Sequence, residues 1–167
     1  MDWFGLDVFN AEHFDQSLPD TLRGGLLTRK GKSERFLSMA RSKHKPVYLN
    51  ETSAAGVNIT PDSIDSRNDW NGWFAKFWGF MDNHIEIKGF NYICQNWAGS
   101  PNPQWGDARI QNSPYITNWY KQEMRRPKYI HLHGSLPVSV TVVHDVPHAF
   151  ELYQNYPHPF NPLTEIS

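Results

Sequence analysis

Cysteine is nearly missing: Cys94 stands alone in 167 residues, so no internal disulfide can form, and one thiol does not decide a redox compartment. A run of about 18 apolar residues, the length needed to cross a bilayer, is also missing. Neither sign of charge dominates. Sixteen Lys and Arg against 17 Asp and Glu leave a net charge of −1, without the basic stripe that a nucleic-acid partner requires. There is no G-x-S-x-G, no phosphate-binding glycine loop and no H-E-x-x-H, which removes the hydrolase, nucleotide and metalloprotease chemistries those motifs carry. His131 and His133 form an H-x-H pair without a third ligand nearby, so no metal is expected, and the pattern asks for no cofactor. The start, Met1-Asp2-Trp3-Phe4, has no basic n-region, apolar h-region or small-residue cleavage site, and reads as lacking a signal peptide.

Aromatic residues are what the chain has in excess. They make up 14% of it, seven of them Trp. Flat rings with a polar edge suit the faces of sugars, yet they fill ordinary cores equally well. Position along the chain has to separate the two uses. The length is right for one domain with a real core.

Trp3 to Phe9 (WFGLDVF) is a short, nearly continuous apolar run, the type of strand buried on both faces of a parallel sheet. After a loop with Pro19 and Gly24-Gly25, Lys32 to His44 has helix-forming composition, with Phe36, Leu37 and Ala40 on one face. Pro46 opens a second strand, Val47 to Asn50. Gly56 to Asn68 reads as a polar loop. Then Trp70, Trp73, Phe74, Phe77, Trp78 and Met81 make an apolar stripe at helical spacing, with Asn68 or Asp69 as the N-cap. This stripe is expected to pack on the sheet rather than to hold a ligand. A third strand covers Ile87 to Cys94. A third helix begins at Ser113-Pro114 and reaches to about Arg126, before Pro127.

The order is therefore strand, helix, strand, helix, strand, helix, with strands beginning near residues 3, 46 and 87. Parallel α/β units are the natural reading. Three units cannot close a barrel, so the pattern fits either an incomplete (β/α)8 barrel or a small open α/β sheet. From Leu132 the helical period disappears. Residues 132–148 read as a linker with one short strand, Val138 to Val143, and Pro157, Pro159 and Pro162 then force extended backbone.

Long loops after each strand are where barrel enzymes put their active sites, and Glu51 closes the second strand. Period-two alternation sets Val47, Leu49 and Glu51 on one side, making the acid the end of an inward-facing row. In that place it is a candidate nucleophile for an anomeric carbon; an ordinary exposed strand-end acid is the plain alternative. Trp97, in Gln95-Asn96-Trp97, is a candidate platform under a sugar ring, or else a plug in the barrel top. Trp105 is a candidate for a further subsite. Asp7 and Asn10 end the first strand and are candidates to bond sugar hydroxyls or orient Glu51, with helix–loop contacts the competing use. Asp107 and Arg109 read as a structural loop pair, and Cys94 as a buried, inert thiol.

Two stretches resemble known families. Gly5-Leu6-Asp7-Val8-Phe9, Pro46 to Glu51, and Ile87 to Trp97 resemble strands six, seven and eight of a clan A (β/α)8 glycoside hydrolase, closest to glycoside hydrolase family 26, the β-mannanase type. The resemblance covers residues 1 to about 131. It implies that Glu51 is the nucleophile and Trp97 the strand-eight tryptophan, with the general acid/base on a strand four upstream of this chain. The family's strand-six Tyr, which bonds the nucleophile, corresponds to Phe9, which has no hydroxyl. Leu152-Tyr153-Gln154-Asn155-Tyr156-Pro157-His158-Pro159-Phe160-Asn161-Pro162-Leu163-Thr164-Glu165-Ile166 is similar to the opening of the C-terminal sorting domain of bacterial type IX secretion, a β-sandwich of which residues 149–167 would hold only the first strand.

Together these resemblances imply a piece, truncated at both ends, of a secreted or cell-surface retaining glycosidase acting on a β-linked polysaccharide, with mannan as the first substrate to consider. Its partners would be that glycan and the secretion machinery. On its own such a piece would be inactive. A non-catalytic carbohydrate-binding or adhesive protein on the same scaffold is the alternative.

Overall fold

The computed structural model describes residues 2–130, nearly all of a compact unit formed by residues 1–129. The expected linker at 132–148, the strand Val138 to Val143, His131 with His133, and the sorting-domain segment 149–167 lie outside the described residues.

Three parallel strands form one sheet in the order β1 (Phe4–Val8), β2 (Val47–Thr52), β3 (Ile87–Tyr92). Helix α1 (Arg29–Ser42) joins the first two strands. Helix α2 (Ser63–Asp69) runs through a π turn, Trp70–Phe74, into α3 (Ala75–Asn83) between the second and third. Helix α4 (Pro114–Met124) follows the third. The result is a mixed α/β unit with a small parallel sheet.

Local chemistry sets the helix ends. Thr28 Oγ1 accepts the Gly31 N–H at 3.0 Å, which starts α1 three residues before the composition-based expectation. Its far end is closed by His44 at φ 52, with Lys45 N–H donating back to the Ala40 carbonyl at 2.9 Å. This is the left-handed closure usually given to glycine. Asp62 caps α2 by accepting from Ile64 and Asp65 N–H groups at 2.8 and 2.9 Å. The second helix thus begins within what reads as a polar loop, well before Asn68. Ser113 caps α4 as expected, accepting from Ile116 N–H at 3.2 Å.

The apolar stripe of the second helix is core. Trp70, Trp73, Phe74, Phe77, Trp78 and Met81 are all buried, joined by Phe80 at 0% exposure. Phe80 lies off the stripe read at α-helical spacing. The extra residue carried by the π turn rotates the following turns, which brings Phe80 inward as well. These rings pack on one face of the sheet, with Val8, Val47 and Leu49 also at 0%.

Among the described residues the opposite face is open, with the exposed Trp3 ring edge to face against Tyr48. Gly5, Asp7, Asn50, Glu51 and Asn91 are exposed there. A Cβ on Gly89 would come within 2.5 Å of the Tyr48 ring, so that ring lies along the sheet across the glycine. The Tyr48 hydroxyl donates to Asn91 Oδ1 at 2.9 Å. A parallel sheet is ordinarily covered on both faces; among the described residues this one is covered on one.

The simple alternation read for β2 fails at its end. Val47 and Leu49 face the helices, whereas Asn50 and Glu51 are both exposed and Thr52 returns to the core at 0%. The pairing registers explain this. They shift between Leu6 and Asp7 on one side of β2 and between Leu49 and Thr52 on the other. A bulge of this kind adds a residue and moves the later residues of the strand to the other face. Glu51 therefore does not continue the row of Val47 and Leu49; it stands on the open face.

Candidate active site

The C-terminal ends of the three strands gather most of the chemistry-bearing residues singled out in the sequence. Glu51 is exposed at the end of the central strand and is the register partner of Asp7 on β1. Residues paired across a parallel ladder point to the same side and sit on strands about 4.8 Å apart. The two carboxylates are therefore neighbours on the open face. Asp7 is exposed as well.

Directly beyond Glu51 the chain turns inward. Thr52 and Ser53 are both at 0% exposure. Thr52 Oγ1 donates to the Asn91 carbonyl at 2.7 Å, and Ser53 Oγ to the Ile93 carbonyl at 2.9 Å. These bonds extend the β2–β3 pairing past the last regular ladder position. Ser53 has a second function in the structure: its oxygen accepts the Trp97 indole N–H at 2.9 Å.

Trp97 is half-buried and forms one aromatic group with Trp105 and Phe9. The Trp97 and Trp105 rings meet edge to face, 5.4 Å between centroids at 72°. Trp105 leans on Phe9 at 4.8 Å and 34°. Sequence reading separates Trp105 as a further subsite; the structure joins it to Trp97 in a single cluster. Phe9, noted in the sequence only for its missing hydroxyl, supplies the cluster's far end. Its carbonyl accepts the Trp73 indole N–H at 2.6 Å and the Ala55 N–H at 3.3 Å, fixing this corner to the core helix.

Gly106 makes the close fit of the loop possible. At φ 72 and ψ −157 it holds a conformation open to glycine. An added Cβ would fall 2.3 Å from the Val57 carbonyl oxygen. In this position the Gly106 carbonyl accepts the Trp97 N–H at 2.9 Å, and the Trp105 carbonyl accepts the Gly56 N–H at 3.1 Å.

Asp107 and Arg109 form the structural pair read from the sequence. Arg109 Nη2 lies 2.6 Å from Asp107 Oδ2, and Asn112 Nδ2 donates to the same oxygen at 2.9 Å. The guanidinium hydrogen bonds hold the Asp107 carboxyl below the usual carboxylate range. From below, the Tyr92 hydroxyl donates to the Ala108 carbonyl at 2.8 Å, tying this loop to β3. Burial pushes the Tyr92 hydroxyl pKa up, so it stays a neutral donor.

Two expectations need correction or restriction. Cys94 is exposed, with its thiol 2.9 Å from Gln111 Oε1, rather than buried. The regular strand ends at Tyr92, so alternation does not extend to residue 94. Asn10 begins the 3-10 turn Ala11–His13 through its backbone, and its side chain makes no cap hydrogen bond. Its backbone carbonyl accepts the His13 N–H at 3.0 Å.

Among the described residues, no group of three or more His, Cys, Asp and Glu is gathered to hold a metal ion. No described helix is long and apolar enough to cross a membrane. The strand ends offer an open carboxylate pair and half-buried indole rings instead. Such an arrangement can deliver an oxygen nucleophile or acceptor next to flat apolar surface.

No family model matches the chain. Two curated proteins are similar to it. One is a beta-1,3-xylanase of Alcaligenes sp, 29% identical over 127 residues that cover 64% of this chain and 27% of that protein. The other is the beta-1,3-xylanase TXYA of Vibrio sp, 33% identical over 112 residues that cover 54% of this chain and 24% of that protein. The chain spans about a quarter of the length of these relatives.

Proposed function

We propose that this chain supplies the last three β/α units of the (β/α)8 barrel of a secreted, retaining glycoside hydrolase, and that its substrate is a β-linked polysaccharide, β-1,3-xylan first. The observation that carries the reading is the position of Glu51. It is an exposed carboxylate at the C-terminal end of a parallel strand, on the sheet face that no described helix covers, two residues before the serine that bonds Trp97. The relatives support glycoside hydrolysis and favour xylan over the mannan expected from the family 26 resemblance.

The open sheet face supports the barrel. In a closed barrel that face is the interior, lined by inward side chains from all the strands. Here it carries Tyr48, Asn50 and Asn91, with the Tyr48 hydroxyl donating to Asn91 Oδ1 and Asn91 Nδ2 donating to the Asn50 carbonyl. The secreted location rests on the tail at residues 149–167 and its likeness to a sorting domain.

The reaction is a double displacement. A Glu51 carboxylate oxygen attacks the anomeric carbon, the glycosidic C–O bond breaks, and a carboxylic acid from outside this chain protonates the departing oxygen. Water, deprotonated by that same group, then releases the sugar from Glu51. The two carboxyl groups should stand about 5–5.5 Å apart in the complete enzyme. Asp7, beside Glu51, binds a substrate hydroxyl or orients the nucleophile. Trp97, with Trp105 behind it, offers a ring to the sugar next to the scissile bond.

The test is hydrolysis of β-1,3-xylan, with mannan as comparison, by the complete protein that carries this chain. Glu51→Ala should abolish hydrolysis and leave binding of the polymer largely intact. Undiminished hydrolysis would remove Glu51 from the reaction. Binding without hydrolysis by the wild type would favour the non-catalytic carbohydrate-binding alternative.

A further inference from the structure

We infer that Ser53 is a positioning residue, which uses up the polar edge of Trp97 so that this tryptophan meets its ligand through its ring face. The inference rests on the carbohydrate reading for the ligand, and on the geometry alone for the positioning. Ser53 is at 0% exposure, and both hydrogen-bonding directions of its hydroxyl are committed. The hydroxyl donates to the Ile93 carbonyl at 2.9 Å and accepts from Trp97 Nε1 at 2.9 Å. The chain of bonds therefore runs from indole N–H to serine oxygen to the backbone just past β3.

An indole ring on a loop has two torsions to fix, and its N–H seeks a partner wherever it settles. Trp97 has its backbone N–H held by Gly106 and its ring in a T-shaped contact with Trp105. The hydrogen bond to Ser53 sets the remaining orientation. An indole with its N–H satisfied by protein has nothing left to donate to a sugar hydroxyl. What remains is its π face, which recognises the C–H surface of a pyranose ring. This makes Trp97 a selector of ring shape and leaves hydroxyl recognition to groups such as Asp7. Ser53 follows Glu51 by two residues, so the strand segment that presents the carboxylate also sets the ring.

The sequence gives little sign of this. Ser53 lies in Thr52-Ser53-Ala54-Ala55-Gly56, a stretch of small residues that reads simply as the end of a strand.

The experiment uses the complete protein that carries this chain, in four forms: wild type, Ser53→Ala, Trp97→Phe and the double variant. Phe keeps a ring but has no N–H, so it removes the bond from the other side. Hydrogen exchange at the Trp97 indole, followed by NMR, reads the positioning. Affinity for β-1,3-linked xylotriose reads its consequence, and thermal melting confirms that each variant is folded. The expected results are slow indole exchange in the wild type, fast exchange in Ser53→Ala, and an affinity loss of about three- to tenfold in Ser53→Ala. Adding Ser53→Ala to Trp97→Phe should change affinity by less than about twofold, because the partner N–H is already gone.

Equal exchange in wild type and Ser53→Ala would overturn the positioning whatever sugar binds. So would a Ser53→Ala loss that persists in full beside Trp97→Phe, since it would then not pass through the indole. Slow wild-type exchange with no xylotriose binding would leave the positioning standing and overturn the carbohydrate reading instead.

Discussion

Asp7 and Glu51 are partners across the β1–β2 ladder, the first pair after the register shifts between Leu6 and Asp7. That shift decides which face Glu51 occupies. Without it, alternation from Val47 and Leu49 would send the acid into a core of buried aromatic rings, where an unpaired carboxylate is costly. With it, both acids come to the open face at the end where barrel enzymes do their chemistry.

Trp97→Ala in the complete protein should weaken binding of β-1,3-xylo-oligosaccharides by about tenfold or more if, as proposed, it removes the ring that faces the sugar. Trp105→Ala should have a smaller effect on affinity, because Trp105 backs Trp97 through an edge-to-face contact. Titration calorimetry with the two variants measures both. Unchanged affinity in Trp97→Ala would return that ring to a packing role.

Gly106→Ala should destabilise the chain by about 1–3 kcal/mol. The new Cβ falls against the Val57 carbonyl in a backbone conformation that side chains rarely adopt. Because Gly106 also accepts the Trp97 N–H, the aromatic near-UV circular dichroism should change along with the melting temperature. A variant that melts normally with an unaltered spectrum would contradict the described loop.

Asp15 gives a pH-dependent prediction. Lys76 lies 2.5 Å from its carboxylate, and this hydrogen bond, with help from Ser17, holds the Asp15 pKa down at about 2. A carboxyl depressed in the folded state stabilises fully above its unfolded value of about 4, and that contribution fades as pH falls toward the folded value. Asp15→Asn should therefore lower the melting temperature at neutral pH. The gap from wild type should narrow as the pH drops from about 4 to about 2. A gap that stays constant across that range would show that the Lys76 pair contributes no linkage.

Much of this architecture is legible in the sequence, because its main signals are local. The run Phe4 to Val8, the stripe from Trp70 to Met81 and the Ser113-Pro114 cap each announce an element within a few residues. The features that elude sequence reading depend on a neighbour. The bulge at Asn50-Glu51 arises from pairing with β1 and β3, so alternation along β2 alone points the wrong way. Asp62 caps a helix inside an apparent loop because its side chain turns back onto Ile64 and Asp65. Glu51, Trp97 and Trp105 are recognisable as candidates from their positions after strands. Ser53 and Phe9 are not, since their importance lies in bonds and ring contacts 44 and 96 residues away in the chain.

The most direct measurement of the central claim is covalent trapping in the complete protein. A 2-deoxy-2-fluoro xylo-oligosaccharyl fluoride carries a leaving group that needs little acid assistance and a ring fluorine that slows breakdown of the glycosyl-enzyme. Peptide mass spectrometry after this treatment should find the sugar attached to Glu51, and Glu51→Ala should take up none while its hydrolysis of β-1,3-xylan falls by about a thousandfold or more. A sugar attached to a different carboxylate, in an enzyme that still hydrolyses the polymer without Glu51, would contradict the account.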